Sequence, residues 1–161
     1  MDTGSRKKES VKFFQQAYDA HIHGDFETAV ALYKKSIEAF PTPETFTFLG
    51  WALSFLNRYE EAIQFCKKAI QLDPDFGNPY NDIGAYLIEM EKLDEAIPYF
   101  EKALRANRYD AYHFPHYNLG RVYEKKGMIK KAREAYQKAL QENPDYVVAQ
   151  EAIDDLQFVL N

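Results

Sequence analysis

The sequence is poor in the features that build several common classes of protein. It has a single cysteine, Cys66, in 161 residues, and one cysteine excludes an internal disulfide framework. No apolar run approaches the ~18 residues needed to cross a bilayer, so we expect no transmembrane helix. The first ten residues contain no apolar stretch of the kind found in a secretory signal. The expected location is therefore cytoplasmic, with no membrane partner.

Positive charge and catalytic motifs are also scarce. The formal net charge is −5, which does not favour binding to nucleic acid or to an anionic membrane. There is no Gly-rich phosphate loop and no nucleophile with an evident base. Two histidine pairs, at residues 21 and 23 and at residues 113 and 116, lie at opposite ends of the sequence and do not make a four-ligand metal site. We expect no catalytic residues, no cofactor and no metal.

The chain does contain one pattern that occurs four times. Each copy begins with a ring, and a small residue follows four positions later; these pairs are Phe13 and Ala17, Phe46 and Gly50, Tyr80 and Gly84, and His116 and Gly120. An alanine comes twelve residues after each small residue, and a larger side chain four residues after that. The alanines are Ala29, Ala62, Ala96 and Ala132, and successive ones are 33, 34 and 36 residues apart.

A period near 34 with this pattern resembles the tetratricopeptide repeat over about residues 10 to 146. The resemblance implies an all-α, right-handed superhelical solenoid of antiparallel helix pairs. We predict a flexible segment over 1–9, four repeats over about 10–42, 43–76, 77–112 and 113–144, and a C-terminal capping helix over 145–161. The capping helix is expected because Asp154 occupies the position where a complete repeat has a small residue.

The pattern and two departures from it lead to three local expectations. We expect the first helix to begin near Ser10. Gly24 and Gly127 suit the turn within a repeat, whereas Glu91 suits it poorly, so the third turn is expected to differ in shape. The third repeat is two residues longer than the others across 107–112, which predicts a distinctive loop.

The resemblance also implies where a partner binds. Members of this family hold a peptide or a short helix of another protein on the concave surface, which the first helix of each repeat lines. The positions carried over to this chain are Phe14, Tyr18, Thr47, Trp51, Asn78, Asn81, Asp82, Tyr117, Asn118 and Arg121. We expect Tyr18, Trp51 and Tyr117 to bury partner side chains, Asn81 to bind a peptide backbone, and Arg121 to pair with a carboxylate.

One known binding mode does not fit. Co-chaperones of this family grip the C-terminal carboxylates of heat-shock proteins with two lysines, two asparagines and an arginine. The corresponding places here are Phe14, Tyr18, Phe48, Asn78 and Asp82. They supply no cation, and Asp82 would repel a carboxylate.

Two functions remain from the sequence. The first is a non-catalytic adaptor, scaffold or chaperone-like module that binds a peptide segment of another protein; in that case the groove rings contact ligand, pack between helices, or do both. The second is a structural protein that self-assembles end to end or through its C-terminal helix. Residues 77–112 carry a charge of −3 and residues 113–146 a charge of +3. This difference is typical of a solvated convex surface; the alternative is an electrostatic contact, either with an acidic partner or head to tail with another copy. We expect a monomer or a weak homo-oligomer.

Overall fold

The computed structural model describes residues 2–159, with the side chains of residues 158 and 159 left out. Within that range it has nine helices: α1 Thr3–Ile22, α2 Phe26–Ala39, α3 Pro43–Phe55, α4 Tyr59–Leu72, α5 Asn78–Glu89, α6 Leu93–Arg105, α7 His113–Lys125, α8 Ile129–Glu142 and α9 Val147–Val159. Consecutive helices pack as pairs, α1 with α2 through α7 with α8, and α9 packs on α8. The predicted all-α arrangement of antiparallel pairs is confirmed. None of these helices has the length and the apolar character required to cross a bilayer.

The first helix begins at Thr3, so the predicted start near Ser10 is wrong. The side chain of Asp2 accepts a hydrogen bond from the backbone N–H of Ser5 at 2.7 Å and caps the helix. The Nε of Arg6 donates to the carbonyl of Ala39 at 3.0 Å, which ties the added turns to the end of α2. Residues 3–9, which the sequence assigned to a flexible segment, are therefore helical.

The turn within each repeat has one common geometry. Glu91 adopts φ 59° and Asn57 adopts φ 57°, beside Gly24 at 81° and Gly127 at 71°. The N–H of Lys92 donates to the carbonyl of Leu87 at 2.8 Å, the bond that closes a left-handed helix end. The expectation that the third turn differs in shape is therefore wrong, because Glu91 is held in the conformation that glycine adopts more easily.

The core repeats along the stack as the sequence pattern predicts. The four alanines of the pattern are fully buried, as are Tyr33, Cys66 and Phe100. Gly84 makes room for Phe100, because a Cβ at Gly84 would lie 2.5 Å from the Cε1 of that ring. The residue that meets Gly84 is therefore Phe100, the larger side chain four positions after Ala96, rather than the alanine itself.

The last helix closes the stack. Ala149, Ile153 and Leu156 are buried, and the last two pack in one cluster with Ala132 and Tyr136 of α8. α9 is therefore a capping helix of the kind that ends a repeat array. The sequence pattern also predicts that Leu160 faces inward and that Phe158 is exposed; residue 160 and the side chain of residue 158 lie outside the part of the chain that the structure describes.

Candidate binding groove

The first helices of neighbouring repeats form one continuous surface. α3 contacts α5, and α5 contacts α7. Among the described residues, the second helices of neighbouring repeats make no comparable contact. The first helices therefore lie on the inner, concave side of the stack, and we call the surface that they line the groove.

An apolar depression lies between α1 and α3, and we call it the N-terminal pocket. It has a volume of about 470 Å³. Its lining residues are Ser10, Val11, Phe14, Tyr18, Thr42, Glu44, Thr45 and Phe48. The rings of Phe14 and Phe48 meet edge to face with centroids 5.2 Å apart, and Tyr18 meets Phe48 at 5.8 Å. Phe14 therefore packs between helices, whereas Tyr18 remains 42% exposed and available for contact.

A second depression lies between α3, α5 and α7, and we call it the central pocket. It has a volume of about 370 Å³. Its lining residues are Thr47, Phe48, Trp51, Asn78, Asn81, Asp82, Tyr109, Ala111 and Phe114. Phe48 lines both pockets, so the two are neighbours along the groove. Thr47 is buried and its hydroxyl donates to the carbonyl of Pro43 at 2.8 Å, so Thr47 contributes packing rather than a free donor.

The single tryptophan packs on neighbouring rings and is also partly exposed in the groove. One face of Trp51 rests on the buried imidazole of His21, with ring centroids 4.3 Å apart, and Phe48 lies 5.9 Å away. Trp51 is still 41% exposed. It therefore both packs and presents a ring to the groove, and these were the two possibilities that the sequence left open.

Tyr109 lines the central pocket, although the groove pattern does not include it. It comes from the two-residue extension between α6 and α7, where Arg108 donates to Asp73 at 2.7 Å and to Glu44 at 2.9 Å. Gly77 allows the approach, because a Cβ there would lie 2.4 Å from the Cβ of Tyr109. The extra length was the signal in the sequence, but nothing in it showed that the added ring turns into the groove.

Polar groove residues are linked in a chain. Asn118 is buried and donates to the Oδ1 of Asn81 at 3.1 Å. Arg121 donates to the Oδ1 of Asn118 at 3.2 Å and to Glu89 at 2.9 Å. Arg121 thus already has a carboxylate partner within the chain, and a ligand carboxylate would compete with Glu89 for it.

Two of the three candidate residues on the last repeat line a third pocket, between α7 and α9, with a volume of about 590 Å³. Tyr117 and Arg121 line it together with Glu124 and Tyr136. The ring of Tyr117 lies 5.4 Å from that of Tyr136, whose hydroxyl donates to Glu124 at 2.6 Å. Nine of the ten predicted positions are thus divided among three pockets. The tenth, Asn118, is buried and hydrogen-bonds to Asn81 of the central pocket and to Arg121 of the third.

Burial changes the acid–base properties of the central pocket. Burial raises the pKa of Asp82 to about 7, while a hydrogen bond from the Asn81 side chain acts in the opposite direction. Burial also raises the pKa of Tyr109, of Cys66 and of Tyr86, so these three groups are neutral at pH 7. Burial lowers the pKa of His21, which supports the ring of Trp51 from behind.

Comparison with known families places this architecture in a class. Tetratricopeptide repeat models match residues 43–76 and 75–141, which together are more than half of the chain. The chain belongs to the tetratricopeptide repeat family, and the helix pairs form the superhelix typical of it. Proteins of this family generally have no catalytic activity and mediate contacts between proteins.

Individual relatives agree on the fold. Protein bimA of Emericella nidulans is 27% identical over 130 residues, which are 80% of this chain and 16% of that protein. Anaphase-promoting complex subunit 3 of Schizosaccharomyces pombe is 32% identical over 106 residues, which are 65% of this chain and 15% of that protein. The solved structure of Pseudomonas aeruginosa pilF superimposes with a TM-score of 0.87 at 21% identity, covering 96% of this chain and 70% of that one. This chain thus spans less than a fifth of the length of these two curated relatives.

Proposed function

We propose that this chain is a non-catalytic adaptor that binds an extended peptide segment of another protein in the groove. The observation that carries the proposal is that the N-terminal and central pockets lie side by side along the groove, with Phe48 lining both. Exposed rings stand along this path, Tyr18 at 42%, Trp51 at 41% and Phe114 at 40%. Exposed rings beside fixed polar groups are typical of surfaces that recognise peptides.

The binding energy would come from a few anchors. Each side chain that buries apolar area against Tyr18 or Trp51 contributes about 25 cal/mol per Å² removed from water. The ring of Trp51 is already held by His21 and Phe48, so little rotamer entropy is lost on binding. The amide of Asn81, held by Asn118, would then orient the peptide backbone.

The test is selection of peptides from a random library displayed on phage, followed by affinity measurement for the enriched sequences. We expect Trp51→Ala and Asn81→Ala to weaken binding by about tenfold each, since each removes one anchor. Leu72→Ala is the matched control, because Leu72 is 51% exposed and lines neither groove pocket. A library that yields no peptide, or variants that lose binding only as far as their melting temperature falls, would contradict the proposal.

A second candidate, self-assembly, is favoured by one observation. Val147 and Val148 at the start of α9 are 63% and 40% exposed, and exposed apolar pairs at the end of a stack are suited to contact between copies. Light scattering over a concentration series separates this function from a monomeric adaptor, and Val147→Asp would abolish any association through α9.

The cytoplasmic location stays a prediction.

A further inference from the structure

The central pocket combines rings with a carboxylate. Trp51, Tyr109 and Phe114 come from three separate segments and line the pocket together with Asp82. Trp51 and Phe114 are each about two-fifths exposed, and Tyr109 is half-buried. Asp82 is the one ionisable acid among the residues that line the pocket, and no lysine, arginine or histidine lines it.

Arg108, beside Tyr109 in the chain, and Arg121 of the groove are both engaged in ion pairs of their own. Arg108 is bound to Glu44 and Asp73, and Arg121 is bound to Glu89. Among residues 2–159 no ion pair reaches Asp82. A half-buried carboxylate without a cation is unfavourable, and it is satisfied best by a cation that comes from outside.

We propose that the central pocket receives a lysine or arginine side chain of the bound peptide, an inference that rests on the proposed peptide-binding function. The ammonium or guanidinium donates to the carboxylate of Asp82, and its methylene stem packs on Trp51 and Phe114. The π faces of these rings attract a cation, which contributes about 0.5–2 kcal/mol for each favourable contact. The hydrogen bond to an ionised carboxylate adds to that attraction.

The same geometry disfavours other occupants. A peptide carboxylate or phosphate would be repelled by Asp82 and would find no donor cation in this pocket. A purely apolar side chain would pack on the rings but would cover the carboxylate and leave it without a cation. A bound cation instead favours the ionised form of Asp82, which burial alone disfavours.

The experiment uses the phage-displayed library described above, selected on the wild-type chain. We expect the enriched peptides to share one lysine or arginine at a fixed position. A synthetic peptide of an enriched sequence is then compared with the same peptide carrying acetyl-lysine, or citrulline in place of arginine, at that position. We expect the neutral form to bind about tenfold more weakly.

Protein variants, measured with the charged and the neutral peptide, complete a double-mutant cycle. We expect Asp82→Asn to lower the affinity for the cationic peptide by about tenfold and the affinity for the neutral peptide by less than about twofold. Asp94→Asn is the matched control, because it removes the same charge at a carboxylate that pairs with Lys126 outside the pocket; it should change both affinities by less than about twofold.

The possible outcomes distinguish failure of the cation assignment from failure of peptide binding. Enriched peptides without a common basic residue would overturn the cation assignment and leave peptide binding intact. A library without any enriched peptide would count against peptide binding itself. Equal losses for cationic and neutral peptides in Asp82→Asn would show that Asp82 shapes the groove rather than pairing with the ligand.

Discussion

Single methyl groups decide whether the two helices of a repeat can pack. Gly84 and Gly120 lie against Phe100 and Tyr136, and a Cβ at either glycine would come within about 2.5 Å of ring carbons. Both rings are almost completely buried, so they cannot turn aside. At Gly50 the nearest atom is instead the Sγ of Cys66, at 2.9 Å, which explains how a small thiol replaces a ring there.

We expect Gly84→Ala to lower the free energy of unfolding by about 1–3 kcal/mol, because the added methyl overpacks the contact between α5 and α6. Urea denaturation measures the change. Gly4→Ala is the matched control, since its Cβ would meet only Asp2 at an ordinary 3.4 Å, and it should be neutral or slightly stabilising. Equal stability of the two variants would contradict the assigned contact.

The pKa of Asp82 links stability to pH. Folding raises this pKa from 3.8 to about 7, so the folded chain holds a proton that the unfolded chain has released between these values. The stabilising contribution is complete below about pH 4 and is lost as the pH rises through 7. The other titratable groups that act on Asp82 or that it acts on, Cys66, Tyr86 and Tyr109, have raised pKa values and stay neutral over this range.

Asp82→Asn cannot ionise, so it should gain stability over the wild type as the pH rises from 5 to 8, by about 1–3 kcal/mol. Chemical denaturation at pH 5 and pH 8 measures how the difference in free energy of unfolding between the variant and the wild type changes with pH. Asp94→Asn, at an exposed carboxylate, should follow the wild type within about 0.5 kcal/mol. A constant offset between Asp82→Asn and the wild type at both pH values would rule out the titration of Asp82 in this window.

Turns and connections were predicted to different degrees. The position of each turn within a repeat follows from the pattern, because a helix pair of fixed length must reverse at a fixed place. The shape of the third turn did not follow, since the stack imposes a left-handed conformation on Glu91 against its preference. The sequence predicts where the extension over 107–112 lies but not the direction in which it folds, because Arg108 anchors it to Glu44, 64 residues away.

Glu91 offers a direct test of this imposed conformation. We expect Glu91→Gly to raise the free energy of unfolding by about 0.5–1 kcal/mol, because a left-handed backbone costs a residue with a side chain more than it costs glycine. Thermal and urea denaturation measure the gain. Glu101→Gly, within α6, is the control and should lower stability by about 1 kcal/mol. Loss of stability in both variants would show that Glu91 is not strained.

The stack as a whole depends on how it ends. Over residues 2–159 the main helix contacts join each repeat to its neighbours, so the last repeat would expose Tyr136 and its surroundings without α9. Leu156 is 2% exposed and packs in the terminal cluster. Stability in such arrays is local, and the ends open before the middle.

We therefore expect Leu156→Ala to cost about 2–4 kcal/mol, and to do so mainly in α8 and α9. Amide hydrogen exchange should show faster exchange in these two helices, with α3 to α6 unchanged. Gln150→Ala on the exposed side of α9 should leave the whole exchange pattern as in the wild type. A uniform acceleration along the chain would indicate that the stack unfolds as one unit instead.

The amino-acid pattern alone was enough to obtain the number of repeats, their helix pairs and the capping helix. Contacts in this fold join helices that are neighbours in the sequence, so a short-range pattern carries most of the information. Three features could be found only in the tertiary structure. They are the hydrogen-bonded chain from Glu89 to Asn81, the ring of Tyr109 in the groove and the half-buried carboxylate of Asp82. These features join side chains more than thirty residues apart, and their burial and orientation depend on how neighbouring repeats are rotated against each other.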